Sequence, residues 1–384
     1  MKVAIVHDYL NQSGGAERVV AELHKLFPQA PIYTTIVDLS SLWPALRGAD
    51  IRTSWMQRLP GVRRHFKVYL PFFARAVESF DLREFDLVIS SSSAFAKAAI
   101  AREGATHVCY CHTPMRFGWD YQRYMARAGH STVVRALLPP LIRRLQEWDR
   151  RTAARPDWYV ANSSTTADRI RRLYGRPSTI IPPPVDVARF SMDAPDEEYY
   201  LVVSRLNGYK RVDLAVQAFR GFGRQLLVVG DGPVRGALEG LADRNVRFAG
   251  QLPDAEVAKA YARCRAFILP GEEDFGITPL EANASGRPVI AFKSGGALDT
   301  VVDGQTGVLF SEQTVDGLRR AVLDCERIEW RKDRLRAHAE QFAPEVFAAR
   351  MLQTIEQAMA GNGQGAAPRA GSNGGREGWS VSAR

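Results

Sequence analysis

Glu273 and Glu281 stand eight positions apart in the run PGEEDFGITPLEANASG (residues 270–286), with Phe275 and Gly276 between them. Glycine at 276 permits a tight turn that a side chain would obstruct. The N–H groups around Ile277 and Thr278 then project from the start of an incoming helix, expected from about Pro279. Such an end attracts anions. The apolar run at 266–269 reads as a buried strand, so both acids fall at the carboxyl end of a strand, where open α/β sheets hold ligands. Alone, two glutamates near a helix start are ordinary solvated charges. Their meaning depends on what the rest of the chain brings to them.

Three further stretches carry anion chemistry. Gly14 and Gly15 separate a short apolar strand at 3–6 from an amphipathic run beginning near Val19, the strand, glycine loop and helix unit that sets backbone N–H groups against a phosphate. The loop is neither a Walker A motif nor a full G-x-G-x-x-G fingerprint, which removes the best evidence for an ATPase or a dehydrogenase. Arg205 and Lys210 follow another strand, one offering a planar fork for phosphate oxygens and the other a second positive point near a helix start. Gly230, Gly232 and Pro233 open a helix after the next strand, but the third glycine of a dinucleotide fingerprint comes one residue late, at Gly236. His112 ends the run at 107–111, again at a strand's carboxyl end, where a single histidine is equally suited to a structural role.

The elements that position these residues alternate. Apolar runs at 3–6, 32–36, 87–89, 107–110, 158–160 and 179–181 are separated by helical or irregular stretches, among them a long basic helix at 137–154 and one capped by residues 162–164. A second set follows at 199–203, 225–229, 246–248, 266–269, 289–291 and 308–310. Strand and helix alternating in this way predict α/β architecture with parallel, doubly wound sheets. Three prolines at 182–184 stiffen the junction between the two sets. A last amphipathic helix is expected at 348–359, and the Gly-, Ser- and Asn-rich tail from 361 is expected to be disordered.

At 384 residues the chain is long enough for two domains with separate cores, and its 46% hydrophobic and 24% charged content belongs to the soluble globular class. No apolar run approaches a spanning helix, and the N-terminus moves straight into a strand without a signal peptide's core, so a cytoplasmic location is expected. Four cysteines are too few for a disulfide framework; Cys109 and Cys111 point to one side of a strand and His112 to the other, which suits core thiols rather than a metal site. A net charge of +9 suits anionic partners, yet no nucleic-acid-binding signature accompanies it.

Together, the acid pair around Phe275 and Gly276, the run GRPVI at 286–290 and the glycines of SGG at 294–296 resemble the signature of the retaining glycosyltransferases of family 4, and the likeness runs from Val3 to about Met359. It departs at 270–276, one residue shorter than the usual pattern and with Asp274 where the family has glycine. The spacing to Glu281 favours Glu273 over Glu272 as the first acid. The resemblance implies a GT-B fold, two Rossmann-like domains facing a cleft that holds a nucleotide sugar. Residues 1–181 would form the acceptor-side domain, residues 182–343 the donor-binding domain, and a helix at 344–360 would cross back to the first; residues 361–384 form the tail.

The resemblance also implies roles. Gly14 and Gly15 lie beneath the donor, Arg205 and Lys210 clamp its diphosphate, and Gly230, Gly276, Ile277 and Thr278 line the pocket. Glu281 receives the ribose hydroxyls, His112 meets the sugar's hydroxyl edge and Glu273 faces the sugar itself. No metal and no cofactor is implied, the positive residues replacing the cation used by other glycosyltransferases. Glu273 as a nucleophile and front-face substitution, in which the leaving phosphate takes the acceptor's proton, remain alternatives.

The stretches EEDFGI and CHTPMR resemble the branch that builds bacterial surface polysaccharides, often with mannose from GDP-mannose, on a glycan or lipid-linked acceptor. Alternatives are a UDP-hexose donor, a nucleotide-sugar epimerase, a non-catalytic nucleotide-sugar sensor and, from charge alone, a nucleic-acid binder. Residues 55–73 mix Arg63, Arg64 and Lys67 with large apolar side chains, suited either to peripheral contact with an anionic membrane on the inner face of the plasma membrane or to an ordinary helix with one solvated face.

Overall fold

The computed structural model describes residues 1–121, 132–195 and 197–362. From residue 363 onward the expected tail lies outside the described residues, while Gly361 and Asn362 extend the last helix, Pro344–Asn362. Seven parallel strands form the first sheet: β1 (Val3–His7), β2 (Ile32–Thr34), β3 (Ile51–Thr53), β4 (Leu87–Ser92), β5 (Thr106–Cys111), β6 (Trp158–Ala161) and β7 (Thr179–Ile180), in the order β3-β2-β1-β4-β5-β6-β7. Six parallel strands form the second: β8 (Tyr199–Val203), β9 (Gln225–Val229), β10 (Val246–Gly250), β11 (Ala266–Leu269), β12 (Val289–Phe292) and β13 (Gly307–Phe310), in the order β10-β9-β8-β11-β12-β13. Strand order reverses between β1 and β4 in one sheet and between β8 and β11 in the other. Loops leaving those strands diverge there and open a crevice.

β3 escapes the sequence pattern because it is an edge strand: Ile51 is half-buried and Arg52 and Thr53 are exposed, so no apolar run marks it. Strands β1, β8, β9, β11 and β12 are the runs of Val, Ile, Leu and aromatics that burial on both faces requires, whereas β7, at the sheet's other edge, leaves Ile180 exposed. Phe347, Met351, Ile355 and Ala358 recur on one face of the last helix and pack into the first half's core with Ile5, Val19 and Tyr110. The junction after β7 is anchored rather than loose. Val185 is 1% exposed in the second core and donates its N–H to the Phe342 carbonyl at 2.8 Å.

Two buried charges hold the first half's loops. Asp8, just past β1, accepts the N–H groups of Ser93, Ala94, Phe95 and Ala96 at 2.6–2.9 Å, tying the loop after β4 to the end of β1. The Lys97 ammonium, sealed from water, lies 2.9 Å from Asp149 Oδ1 and donates to Thr152 Oγ1 at 2.9 Å. Asp149 Oδ2 accepts Trp119 Nε1 and Tyr174 Oη, each at 2.8 Å. Cys109 and Cys111 are packed with Tyr159 and Ile170, and burial pushes the Cys109 thiol up to about 12, as inert core thiols require.

Residues 55–73 are not one helix. They break into a 3₁₀ turn at Trp55–Arg58, a helical turn at Val62–His65 entered through Gly61, and a 3₁₀ stretch at Phe66–Phe72 with no buried residue. Among the described residues no helix is long and apolar enough to cross a membrane.

Candidate active site

Both crevices face one another, and their loops meet. From the first half come the glycine loop and helix Gly15–Leu26 after β1, the loop after β4 and the end of β5; from the second come the loops after β8, β9 and β11. A Cβ placed on Gly15 would lie 3.0 Å from Ile277 Cδ1, and one on Gly14 would lie 3.4 Å from Arg205 Nη2. Gly14, Gly15, Arg205 and Ile277 therefore share one spot. Arg205 is exposed and donates from Nη1 to Gln12 Oε1 at 3.0 Å, with Nη2 beside Gly14.

The loop after β11 turns through Gly276 at φ +86, a value that L side chains rarely adopt, and the helix Ile277–Ala284 starts two residues earlier than the apolar pattern suggested. Thr278 lies in its first turn. Lys210 Nζ bonds Glu273 Oε1, so these two expected residues are partners. Glu272 instead accepts Arg169 Nη2 at 3.1 Å. Glu273 is thus joined to the second half's own phosphate-binding candidate. Gly230, at φ +127, has a packing role: a Cβ there would sit 1.9 Å from the Ser204 carbonyl oxygen, so glycine lets the β9 loop lie against the loop that carries Arg205.

Glu281 is 6% exposed and accepts Arg18 Nη1 from the first half at 2.8 Å. His112 is also enclosed. Its Nε2 is 2.8 Å from Ser91 Oγ, and burial, helped by the charge of His7, brings its pKa down to about 3. Arg63, Arg64 and Lys67 are exposed on the turns between Trp55 and Phe73.

Several cross-gap partners were not singled out from the sequence. Arg169 bonds Asp274 as well as Glu272, Arg116 Nη1 donates to Asp274 Oδ2 at 3.3 Å, Ser163 Oγ donates to the Asp274 carbonyl at 2.6 Å, and Ser164 donates to Asp299. The aspartate at 274 thereby takes contacts from three first-half side chains, Arg116, Ser163 and Arg169. The signal was its presence where a glycine was expected. Among the described residues no group of three or more His, Cys, Asp or Glu is arranged to hold a metal ion.

Paired switch-point crevices with a glycine loop on one side and basic and acidic loops on the other define a GT-B architecture. Solved structures agree: Anabaena HepE in complex with UDP-glucose superposes with a TM-score of 0.70 at 17% identity, covering 93% of this chain and all of that one. Sucrose-phosphate synthase from Thermosynechococcus elongatus gives a TM-score of 0.71 at 18% identity, covering 94% and 100%. The family model described as Glycosyltransferase Family 4 matches residues 13–189, and that described as Glycosyl transferases group 1 matches residues 186–343. The chain belongs to glycosyltransferase family 4.

Among curated relatives from Mycolicibacterium smegmatis, a GDP-mannose-dependent alpha-(1-6)-phosphatidylinositol monomannoside mannosyltransferase is 32% identical over 195 residues, 42% of this chain and 51% of the relative. A GDP-mannose-dependent alpha-mannosyltransferase is 37% identical over 195 residues, 46% and 49%. The chain spans about half the length of the curated relatives it matches.

Proposed function

We propose that the protein is a retaining, metal-independent hexosyltransferase that moves a hexose from a nucleotide sugar, GDP-mannose being favoured, to a glycan or lipid-linked acceptor of a bacterial surface polysaccharide. The observation that carries this reading is the meeting of the Gly14 and Gly15 loop with Arg205 and Ile277 across the gap, beside the Lys210–Glu273 pair. Backbone dipoles and fixed cations aimed at one spot stabilise the charge that builds on a departing diphosphate. The names of the two mannosyltransferase relatives favour GDP-mannose; the UDP-glucose held by HepE keeps a UDP-hexose as the second reading. The domain division at residue 181, with the last helix returning to the first domain, belongs to the same proposal. A thermal-shift screen of nucleotide diphosphates and their sugars tests it, since a ligand of the folded state raises apparent stability with occupancy. No shift with any nucleotide would overturn the reading.

In this proposal Glu281 receives the ribose hydroxyls, which exchange for the Arg18 guanidinium it now holds. Glu273 faces the sugar. Its bond to Lys210 draws electron density from the carboxylate and favours front-face substitution over nucleophilic attack. The two acids then fail differently: Glu281→Ala raises KM for the donor, whereas Glu273→Ala lowers kcat more than affinity. Steady-state kinetics with each variant checks this, and equal mild effects from both would remove the assignment.

The acceptor side includes the exposed turns. Val68 is 76% exposed and the Trp55 and Phe72 rings pack edge to face, 6.1 Å apart, beside Arg63, Arg64 and Lys67. Such a patch suits an anionic membrane surface, each cation contributing roughly 1 kcal/mol. The protein is expected to co-sediment with anionic liposomes at low salt, and Arg63→Glu with Arg64→Glu to abolish this while donor binding survives. Unchanged sedimentation of the double variant would remove the patch from the acceptor argument.

A further inference from the structure

Beneath the glycine loop lies a buried polar chain that the roles above do not use. His7 ends β1 at 2% exposed and Glu17 sits in the first turn of the following helix at 1%. His7 Nδ1 is 3.0 Å from the Ser91 carbonyl oxygen and 3.1 Å from Ser91 Oγ. A carbonyl only accepts, so Nδ1 carries a hydrogen. On the far side of the ring, Nε2 lies 3.8 Å from Glu17 Oε1, and a carboxylate there draws a second proton onto the ring. Burial opposes that charge, but Glu17 outweighs it and holds the His7 pKa above its ordinary value, while His7 holds Glu17 below its own. Asp8 adds to the attraction, and the neutral His112 ring stands edge-on, 6.5 Å away.

With His7 donating, the Ser91 hydroxyl accepts on that side. Its own hydrogen then has one partner among the described residues, His112 Nε2 at 2.8 Å. An imidazole that accepts at Nε2 and is neutral must carry its hydrogen on Nδ1. That nitrogen makes no hydrogen bond to the described residues and is not sealed from solvent. The same chain reaches the phosphate side, because Gln12 donates to Glu17 Oε1 at 3.1 Å and accepts Arg205. Glu17 Oε2, buried without a hydrogen-bond partner, lies 3.0 Å from where a Cβ on Gly14 would be. A bare carboxylate there would repel any phosphate on the loop; a proton drawn onto His7 offsets it.

We propose that Glu17, His7 and Ser91 are positioning residues that fix His112 as a neutral imidazole protonated on Nδ1, so that it presents a hydrogen-bond donor to an oxygen of the bound sugar. The proposal rests on the glycosyltransferase reading for its ligand and, for the proton, on the hydrogen-bond geometry of His7, Ser91 and His112, which the direction of the two histidine shifts supports. A neutral donor holds a sugar oxygen without competing with Arg205 and Lys210 for the diphosphate. It also rejects an ammonium at the same sugar position, because two donors would then face each other.

The test is nitrogen NMR of the full chain labelled with ¹⁵N-histidine, without ligand, from pH 5.5 to 8.5, the His112 signals being those lost in His112→Asn. Expected are a His112 ring protonated on Nδ1 alone throughout the range and a His7 ring protonated on both nitrogens at pH 7. Ser91→Ala should spread His112 over both tautomers and lower kcat about tenfold with KM for the donor little changed, and Ser91→Thr, which keeps the hydroxyl, should restore both. Glu17→Gln should leave His7 neutral at pH 7. A wild-type His112 protonated on Nε2, or an unchanged tautomer in Ser91→Ala, would overturn the relay; a His7 that stays charged in Glu17→Gln would overturn the part given to Glu17. Because the tautomer is read without substrate, absence of donor binding would sink the activity and not this assignment.

Discussion

Arg205→Ala and Lys210→Ala are each expected to lower turnover on the nucleotide sugar by about a hundredfold or more, with activity indifferent to chelators. A preorganised cation acts chiefly on charge that develops as the glycosidic bond breaks, so its loss raises the barrier by a few kcal/mol. Lys210 carries a second penalty. Its partner Glu273 is left beside the diphosphate without a counter-charge, so Lys210→Ala should be the more damaging of the two and Lys210→Arg should recover part of the loss. Single-turnover kinetics at saturating donor checks this. Full turnover in either alanine variant, or strict dependence on added magnesium, would contradict it.

The largest effect on stability is expected at Lys97. Lys97→Ala strands Asp149 in a site with no exposure, and breaking a buried ion pair from one side costs about 3 to 5 kcal/mol. Trp119 and Tyr174 still donate to Asp149, but they cannot supply the missing charge. Lys97→Met combined with Asp149→Leu removes both charges and should recover much of the loss. Urea unfolding of the two variants beside the wild type provides the measurement. A single variant as stable as the parent would mean that the pair contributes packing alone.

Much of this fold was legible because two-sided burial writes itself as apolar runs: β1, the start of β4 and the central strands of the second sheet lie where Val, Ile and Leu cluster. The glycine loop, Arg205, Lys210 and Glu273 could be nominated because each lies in the stretch that follows such a run. What the pattern could not carry is pairing between distant positions. Arg18 and Glu281 are 263 residues apart and Arg169 and Asp274 are 105 apart; no periodicity links them, and each reads locally as a solvated charge. Glu17 was hidden for the same reason, since an acid in a first helical turn is ordinary and only the folded partner, His7, explains its burial. For residues 55–73 the sequence left a membrane-facing surface and an ordinary helix open, and Pro60, Gly61 and Pro71 divide the stretch into short turns that leave Val68 and Phe72 outside.

The last helix, whose Phe347, Met351 and Ile355 complete the first half's core, has a consequence for how the protein is made. Ribosomes add about 5 to 20 residues per second, so the stretch between Ile181 and Pro344 takes on the order of ten seconds to emerge. Throughout that interval the core between the first sheet and the helix Gly15–Leu26 lacks Phe347, Met351 and Ile355, and the nascent chain presents an apolar groove shaped for its own future segment. The second half can fold in sequence as it appears, whereas the first must wait for the helix Pro344–Asn362. Slow codons or a chaperone acting late in translation would therefore govern yield more than those acting early.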